Sequence, residues 1–407
     1  MPMDDVYEVS ERTEDACREE QPTGAETVFA NARVILAERV QTGCVTVHDG
    51  QIAEIAEGDA VPRVAGASVI DCAGDYLMPG MVELHTDNIE KHMLPRPGAL
   101  WPALPAAIAH DMQVVAAGIT TVYDSVAVGA FDEAGLRLRA LQSICEALEE
   151  GERHALFKAR HLLHLRCEVA FDGLEELLPP LIGRPLVGLL SVMDHTPGQR
   201  QFVDEAKYVQ YYQGKHGFTD AEMAQYIVDR KRDQVRHSDR NRRFVVNLAQ
   251  EYGHALASHD DATADHVAEA VRDGMTIAEF PTTVAAARAS HDQGLAVLMG
   301  APNLVRGGSH SGNVAAAELA SLGLLDVVSS DYAPASLIHA VFLLADTIDG
   351  IDLPGAVATV TANPARAAGL DDRGVIATGK IADLVRVSKT DRHPILRGVW
   401  RAGLRVA

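Results

Sequence analysis

The chain has 407 residues, 57 Asp+Glu against 36 Lys+Arg, a formal net charge of -21 and 17 His. That length suits two or three units, or one large barrel with an appendage. No apolar run reaches the roughly 18 residues of a membrane span, and the negative charge argues against nucleic acid or an anionic membrane as partner. Five scattered Cys with no C-x-x-C pair argue against a disulfide scaffold or a thiolate zinc site and favour a reducing cytoplasm.

Residues 1–26 hold nine acids (Asp4, Asp5, Glu8, Glu11, Glu14, Asp15, Glu19, Glu20, Glu26) and two bases (Arg12, Arg18) with little apolar periodicity. They read as a disordered acidic tail, not a signal peptide. Residues 27–78 alternate or run apolar in short β-branched stretches, with Asp49-Gly50 as a hairpin turn. The stretch 371–407 has the same character, so both chain ends are expected to build one β domain.

The middle, 79–370, carries eight apolar, β-rich runs: MVELH, GITTVYDSV, HLLHLRCEV, VGLLSVMDH, HALASHD, TIAEF, LAVLMG and DVVSSD. Near-continuous apolar runs fit parallel strands buried on both faces. Helical patterns lie between them, the clearest at 132–150, where Leu141, Ile144, Cys145 and Leu148 share a face behind Asp132 as N-cap. This alternation predicts an α/β fold, a (β/α)8 barrel. An insertion at 197–243 opens a helix with a capping-box pattern, Thr219 to Glu222. Its Arg230, Lys231, Arg232, Arg236, Arg240, Arg242 and Arg243 are interleaved with acids. They read as a solvated, salt-bridged helix, with a cationic flap over an anionic substrate as the alternative.

Polar residues fall at the strand ends, where a barrel keeps its chemistry. The runs end in His85-Thr86-Asp87, Glu168, Asp194-His195, His259-Asp260-Asp261, Glu279 and Asp331. Several acids cannot stay ionised together in a dry cavity without a cation. His85 and Asp87, two apart on a strand, can face one metal. His161, His164 and His254 sit within or before apolar runs and read as structural. Glu168 is expected either to pair with Arg166 or to bind metal. Asp331 can ligate and can accept a proton from metal-bound water. Imidazole and carboxylate donors without thiolate suit zinc, with manganese and iron as alternatives.

The segment MPGMVELHTD, followed near the end by TANPARAAGLDDRGVIATGKIADLVRV, resembles the amidohydrolase superfamily from about residue 27 onward. The resemblance implies a metal-bearing (β/α)8 barrel of 79–370 with a β-sandwich made of 27–78 and 371–407. HTDNIEKHMLPRPGALWP (85–102), LHLRCEV (163–169), MDHTPGQRQF (193–202) and SDYAPAS (330–336) are similar to one branch of it. That branch hydrolyses α-D-ribose 1-methylphosphonate 5-triphosphate to the 5-phosphate and diphosphate in phosphonate catabolism. The resemblance implies two divalent ions held by His85, Asp87, Glu168, His195, His259 and Asp331. Asp87 replaces a second His, Glu168 bridges, and Asp331 takes the proton. Glu279 stands where some members have His, and is expected as a ligand or a substrate contact.

A phosphorylated sugar as small-molecule partner needs cations and backbone donors. Lys91, His92 and Arg96 follow the first strand, and the Gly-rich loop 303–313 offers Asn303, Arg306, Ser309 and His310. There is no G-x-x-x-x-G-K-[ST], so a P-loop is excluded. The fold alone leaves cyclic-amide hydrolysis or deamination as the alternative, and a barrel that lost its metal as a third class. A homo-oligomer is left open.

Overall fold

The computed structural model describes residues 26–58, 66–96, 98–131, 135–202, 205–309, 312–391 and 393–407. The acidic tail apart from Glu26, the Asp132 cap and His310 lie outside the described residues.

The chain opens with β1 (Glu26–Ile35), β2 (Val40–His48), β3 (Gln51–Glu57), β4 (Ser68–Asp71) and β5 (Tyr76–Pro79). Asp49 and Gly50 join β2 to β3 with φ of 47° and 76°, the two left-handed residues that a type I′ hairpin turn needs. β1 slips register against β2 between Phe29 and Ala32, where Asn31 has φ 54°. The resulting bulge bends β1, so its first half runs parallel to β4 and its second half parallel to β5.

Gly80 then carries the chain into the barrel. A Cβ there would lie 2.2 Å from Thr120 Oγ1 and 2.9 Å from Asp383 Cβ, so only glycine fits where the two units touch. The barrel strands are β6 (Met81–Thr86), β7 (Ile119–Val128), β8 (Arg160–Glu168), β9 (Val187–Met193), β10 (Ala255–His259), β11 (Ile277–Glu279), β12 (Ala296–Gly300) and β13 (Val327–Ser329). Each pairs in parallel with the next, and a Thr86–Asp331 bridge returns β13 to β6. These are the eight apolar runs of the sequence in order. Helices α1 (Asn88–Met93), α2 (Ala103–Ala116) and α3 (Leu136–Arg153) follow the first two strands. α3 starts later than its periodicity predicts, after Gly135 at φ 57°.

The chain closes with β14 (Leu384–Lys389), β15 (Pro394–Arg401) and β16 (Leu404–Arg405). β14 lies antiparallel on β5, giving the order β16-β15-β14-β5-β1-β2-β3 with β4 beside β1. Both chain ends thus build one sheet. Phe29 on β1 meets Trp400 on β15 edge to face at 4.9 Å. Three strand steps in a flat sheet would separate them by about 14 Å, so the sheet folds over and the two layers of the sandwich are parts of one ladder.

The insertion is a helical hairpin, Glu205–His216 and Asp220–Tyr252. Thr219 and Glu222 form the capping box, and the helix runs to Tyr252, nine residues past the expected end at 243, before its cap Gly253 at φ 72°. Tyr208, Tyr212, Phe218, Met223 and Tyr226 pack between its arms as a satellite core. Its cations face acids: Arg230 to Asp233 at 2.8 Å, Arg232 to Asp229 at 2.7 Å, Arg240 to Glu175 at 3.2 Å and Arg242 to Asp273 at 2.6 Å. This pairing fits the solvated, salt-bridged reading of the helix, and none of its basic residues lines the main cavity at the barrel mouth.

Behind β7 and β8, α2 buries a polar network. His110 Nε2 donates to Asp124 Oδ1 at 2.6 Å, and His161 Nδ1 donates to Asp124 Oδ2 at 2.6 Å. His161 Nε2 donates to Asp111 at 3.2 Å, so both ring nitrogens donate. Burial pushes the His161 pKa down, but the Asp124 and Asp111 carboxylates outweigh it and raise it to about 9. Burial pushes Asp124 up, but His161 and His110 bring it down to about 2. The His161 contribution to stability is complete below its unfolded value of about 6.5 and is lost as pH rises through about 9. The Asp124 contribution is complete above about 3.9 and is lost as pH falls through about 2. Melting temperature is expected to fall between about pH 6.5 and 9. Asp124→Asn should flatten that slope and cost about 3–5 kcal/mol. A slope in thermal melts that survives Asp124→Asn refutes the assignment.

Candidate active site

The C-terminal ends of the strands gather the polar residues around a cavity of about 340 Å³. Three non-glycine strand-end residues hold left-handed backbone there: Asp260 at φ 57°, Phe280 at 53° and Asp331 at 53°. Strain of this kind concentrates at functional sites.

Glu279 organises one half. Its Oε1 accepts from His85 Nδ1 at 3.1 Å and its Oε2 from His259 Nδ1 at 3.0 Å. The two rings stack at 5.6 Å and 24°, with Phe280 edge-on to both at 4.9 and 5.5 Å. Burial would push the Glu279 carboxyl up, but His85, His164 and the hydrogen bonds from both imidazoles hold it well below the usual range. With Nδ1 engaged on both rings, each Nε2 is left for a ligand.

Glu168 organises the other half. Its Oε2 accepts from His195 Nδ1 at 2.7 Å. His195 Nε2 and His259 Nε2 then both face Asp260 Oδ2, at 3.8 and 3.4 Å. That oxygen is buried without a hydrogen-bond partner. Burial pushes the Asp260 carboxyl up to about 7, against the opposing charges of His195 and Arg166. An orphaned carboxylate oxygen facing two imidazole nitrogens, each held in its ligating tautomer by a carboxylate, is a donor set that fits a divalent cation.

Of the six expected ligands, His85, Asp87, His195, His259 and Asp331 line this cavity. Glu168 lies in a smaller cavity beside it, which His195 also lines. Glu168 pairs with His195 and not with Arg166. Asp331 is fixed through its backbone: its N–H donates to His85 O at 3.1 Å and its carbonyl accepts from Thr86 Oγ1 at 2.7 Å.

The substrate contacts fare differently. Glu279 does not line the cavity; its carboxylate lies against His85 and His259, where it can orient both rings or, with them, hold a metal ion. Lys91 Nζ donates to the carbonyl of Tyr332, and His92 Nε2 bonds Gln113 Oε1 at 2.9 Å. Arg96 turns back in a bridge to Ala99. None of these three lines the cavity: Lys91 is tied to Tyr332 on its wall, His92 to Gln113 and Arg96 to Ala99. Asn303 reaches the wall, but its amide clamps Val314 O at 3.3 Å and Ala316 N at 3.0 Å. Arg306 lines the cavity and reaches the Tyr332 hydroxyl at 3.5 Å. The structure adds to the cavity wall four residues that were not expected as ligands or substrate contacts: Asp260, Arg137, Arg166 and Tyr212. Asp260 had a signal, standing directly after His259. Arg166 had one too, two positions before Glu168 on the same strand face. Arg137 and Tyr212 carry none.

Residues 234–405 match the amidohydrolase family. Two solved structures share the fold. N-isopropylammelide isopropylaminohydrolase from Burkholderia multivorans ATCC 17616 has a TM-score of 0.62 and 18% identity, over 94% of this chain and 98% of that one. Molinate hydrolase has a TM-score of 0.63 and 14% identity, over 95% of each. The chain belongs to the amidohydrolase family. Within it, the chain is 49% identical over 380 residues to alpha-D-ribose 1-methylphosphonate 5-triphosphate diphosphatase of Escherichia coli (strain K12), covering 93% of this chain and 100% of that relative. No helix among the described residues is long and apolar enough to cross a membrane.

Proposed function

We propose that this amidohydrolase converts α-D-ribose 1-methylphosphonate 5-triphosphate and water to the 5-phosphate and diphosphate, as a metal-dependent step of phosphonate catabolism in the cytoplasm. The observation that carries the reading is charge. Arg137, Arg166 and Arg306 line the same cavity as the imidazoles and carboxylates. A neutral amide would not call for three guanidinium groups around the reacting centre, whereas a triphosphate would. The 49% identity to the named diphosphatase supports it.

His85, Asp87, His195, His259 and Asp331, with Asp260 and Glu168 beside them, would hold the metal. In this reading there are two ions, zinc by donor chemistry, with manganese or iron as alternatives. When bound, the metal supplies a water of lowered pKa and positive charge against phosphoryl oxygens. Glu279 and Glu168 hold the three imidazoles in one tautomer, so no ring has to turn during the reaction. Asp331 accepts the proton of the attacking water. Arginine N–H groups meet the charge that builds on the phosphoryl oxygens.

Water oxygen forms a bond to the α-phosphorus, and the bond from that phosphorus to the bridging oxygen breaks, leaving the electron pair on diphosphate. Hydrolysis of the 5-triphosphate in ¹⁸O-water is therefore expected to label the sugar 5-phosphate and leave diphosphate unlabelled. Label in diphosphate would move the attack to the β-phosphorus. Orthophosphate as first product, or ammonia release from cyclic amidines without diphosphate chemistry, would overturn the assignment.

A further inference from the structure

The two sides of the cavity carry cations of different kinds. Arg306 follows β12 and Arg166 stands on β8, the seventh and third strands of an eight-strand ring, so they face each other across the barrel. Arg306 has the Tyr332 hydroxyl at 3.5 Å. Arg166 makes no hydrogen bond and no ion pair among the described residues, and its Nε is buried without a partner. Its natural neighbours are engaged elsewhere. Glu168 accepts from His195 at 2.7 Å, and Glu90 holds Arg137 at 2.8 Å. A half-buried guanidinium with no carboxylate in contact is costly. It is retained beside the donor cluster, where its charge is felt by Asp260, His195 and His259.

Arg166 also lines the side cavity, together with Arg137, Glu168, His195 and Tyr212. That space is about 70 Å³. At roughly 10–15 Å³ of such volume per water, it holds a few waters, the bulk of one tetrahedral anion, and has no room for a ribose. Arg137 stands in the first turn of α3, which has no acidic residue and no side-chain cap there. The side cavity therefore offers the Arg166 fork beside the Arg137 guanidinium, which also holds Glu90, and space for a single phosphoryl group directly against the reacting centre.

We propose that Arg166, with Arg137, binds the diphosphate leaving group of the substrate, its terminal phosphate seated in the side cavity, while Arg306 serves the sugar phosphonate end on the opposite wall. The inference rests on the proposed function and deepens it. It orients the substrate: the chain of phosphates runs from the centre toward β8, and the ribose lies toward β12. Arg166 then meets charge that grows as the bridging oxygen leaves.

Inorganic pyrophosphate binding to the metal-loaded enzyme tests this, by calorimetry and by thermal shift. Arg166→Met is expected to weaken pyrophosphate binding about 10- to 100-fold. The affinity for the sugar 5-phosphate product should stay within about twofold. Arg306→Met should do the reverse. Without ligand, Arg166→Met should melt at or above the wild-type temperature, since it removes an unpaired charge. Should it melt lower, Arg166→Lys, which keeps the charge and loses the fork, carries the comparison. Unchanged pyrophosphate affinity in the Arg166 variant, or a loss of pyrophosphate affinity in Arg306→Met instead, overturns the inference. Pyrophosphate binding needs no turnover of the sugar substrate. Diphosphate release with Arg166-independent pyrophosphate binding sinks the orientation alone. Arg166-dependent binding without hydrolysis of the 5-triphosphate sinks the substrate assignment alone.

Discussion

Asp331→Asn is expected to lower kcat about 10²- to 10⁴-fold with the fold and the melting temperature little changed. The two halves of that expectation have separate origins. Asp331 holds φ at 53°, a conformation that Asn adopts as readily as Asp. Its backbone keeps the bond to His85 O at 3.1 Å and the Thr86 hydroxyl bond at 2.7 Å whatever the side chain. The closure of β13 on β6 runs through that same backbone, so an isosteric amide leaves the barrel intact. The amide cannot accept a proton from an attacking water, and as a neutral donor it is a poorer ligand. Asp331→Ala would be less informative, because alanine tolerates left-handed backbone poorly and would mix strain with chemistry. Diphosphate release measured alongside a thermal melt separates the two halves. Near-normal turnover in Asp331→Asn would refute the proton-acceptor role, and a collapsed melting temperature would place Asp331 among the structural residues.

How far the sequence reveals such a site depends on the range of the interaction concerned. Strands β6 to β13 were legible because each is an apolar run buried on both faces, and their ends were legible because a carboxylate or imidazole after such a run is costly unless used. What lies between strands was not. Glu279 is 194 residues from His85 and 20 from His259, and only the closed ring shows that one carboxylate serves both. Its position after a strand marks it as polar and buried, but cannot say whether it faces substrate or the backs of two imidazoles. Asp194 illustrates the opposite case. It ends β9 as plainly as any ligand, yet it accepts from Thr196 N at 3.0 Å and Ser238 Oγ at 3.2 Å, fixing the insertion's long helix to the rim. Lys91 and Arg96 follow the first strand at a spacing that suits a phosphate loop. In the structure Lys91 is held by the Tyr332 carbonyl and Arg96 turns back to Ala99, so neither lines the cavity. Arg137 and Tyr212 come from a helix face and from the insertion hairpin, where an inward-pointing polar residue leaves no periodic trace. Local pattern finds the ring and its rim. The pairing of charges across the ring is a property of closure.

Glu279→Gln carries the second large effect, and its direction follows from proton counting. As a carboxylate, Glu279 accepts from Nδ1–H of both His85 and His259, at 3.1 and 3.0 Å. That fixes both rings with Nε2 unprotonated and turned to the cavity. A glutamine has one carbonyl oxygen and one amide nitrogen. Its oxygen can hold one imidazole as before. Its NH₂ must donate to the other ring's Nδ1, which moves that ring's proton to Nε2 and removes a metal donor, or else a buried N–H is left facing an N–H. Either outcome costs metal affinity, expected at about 10- to 100-fold, with turnover falling alongside at limiting metal and partly restored by excess metal. The overall shape is conserved, so the barrel should still form. Metal content after dialysis against a graded chelator series measures the affinity, and the imidazole nitrogen shifts in NMR report which ring has changed tautomer. Unaltered metal retention with two Nδ1-protonated rings would show that Glu279 does not set the tautomers. Turnover that excess metal does not recover would mean that Glu279 acts on the substrate after all.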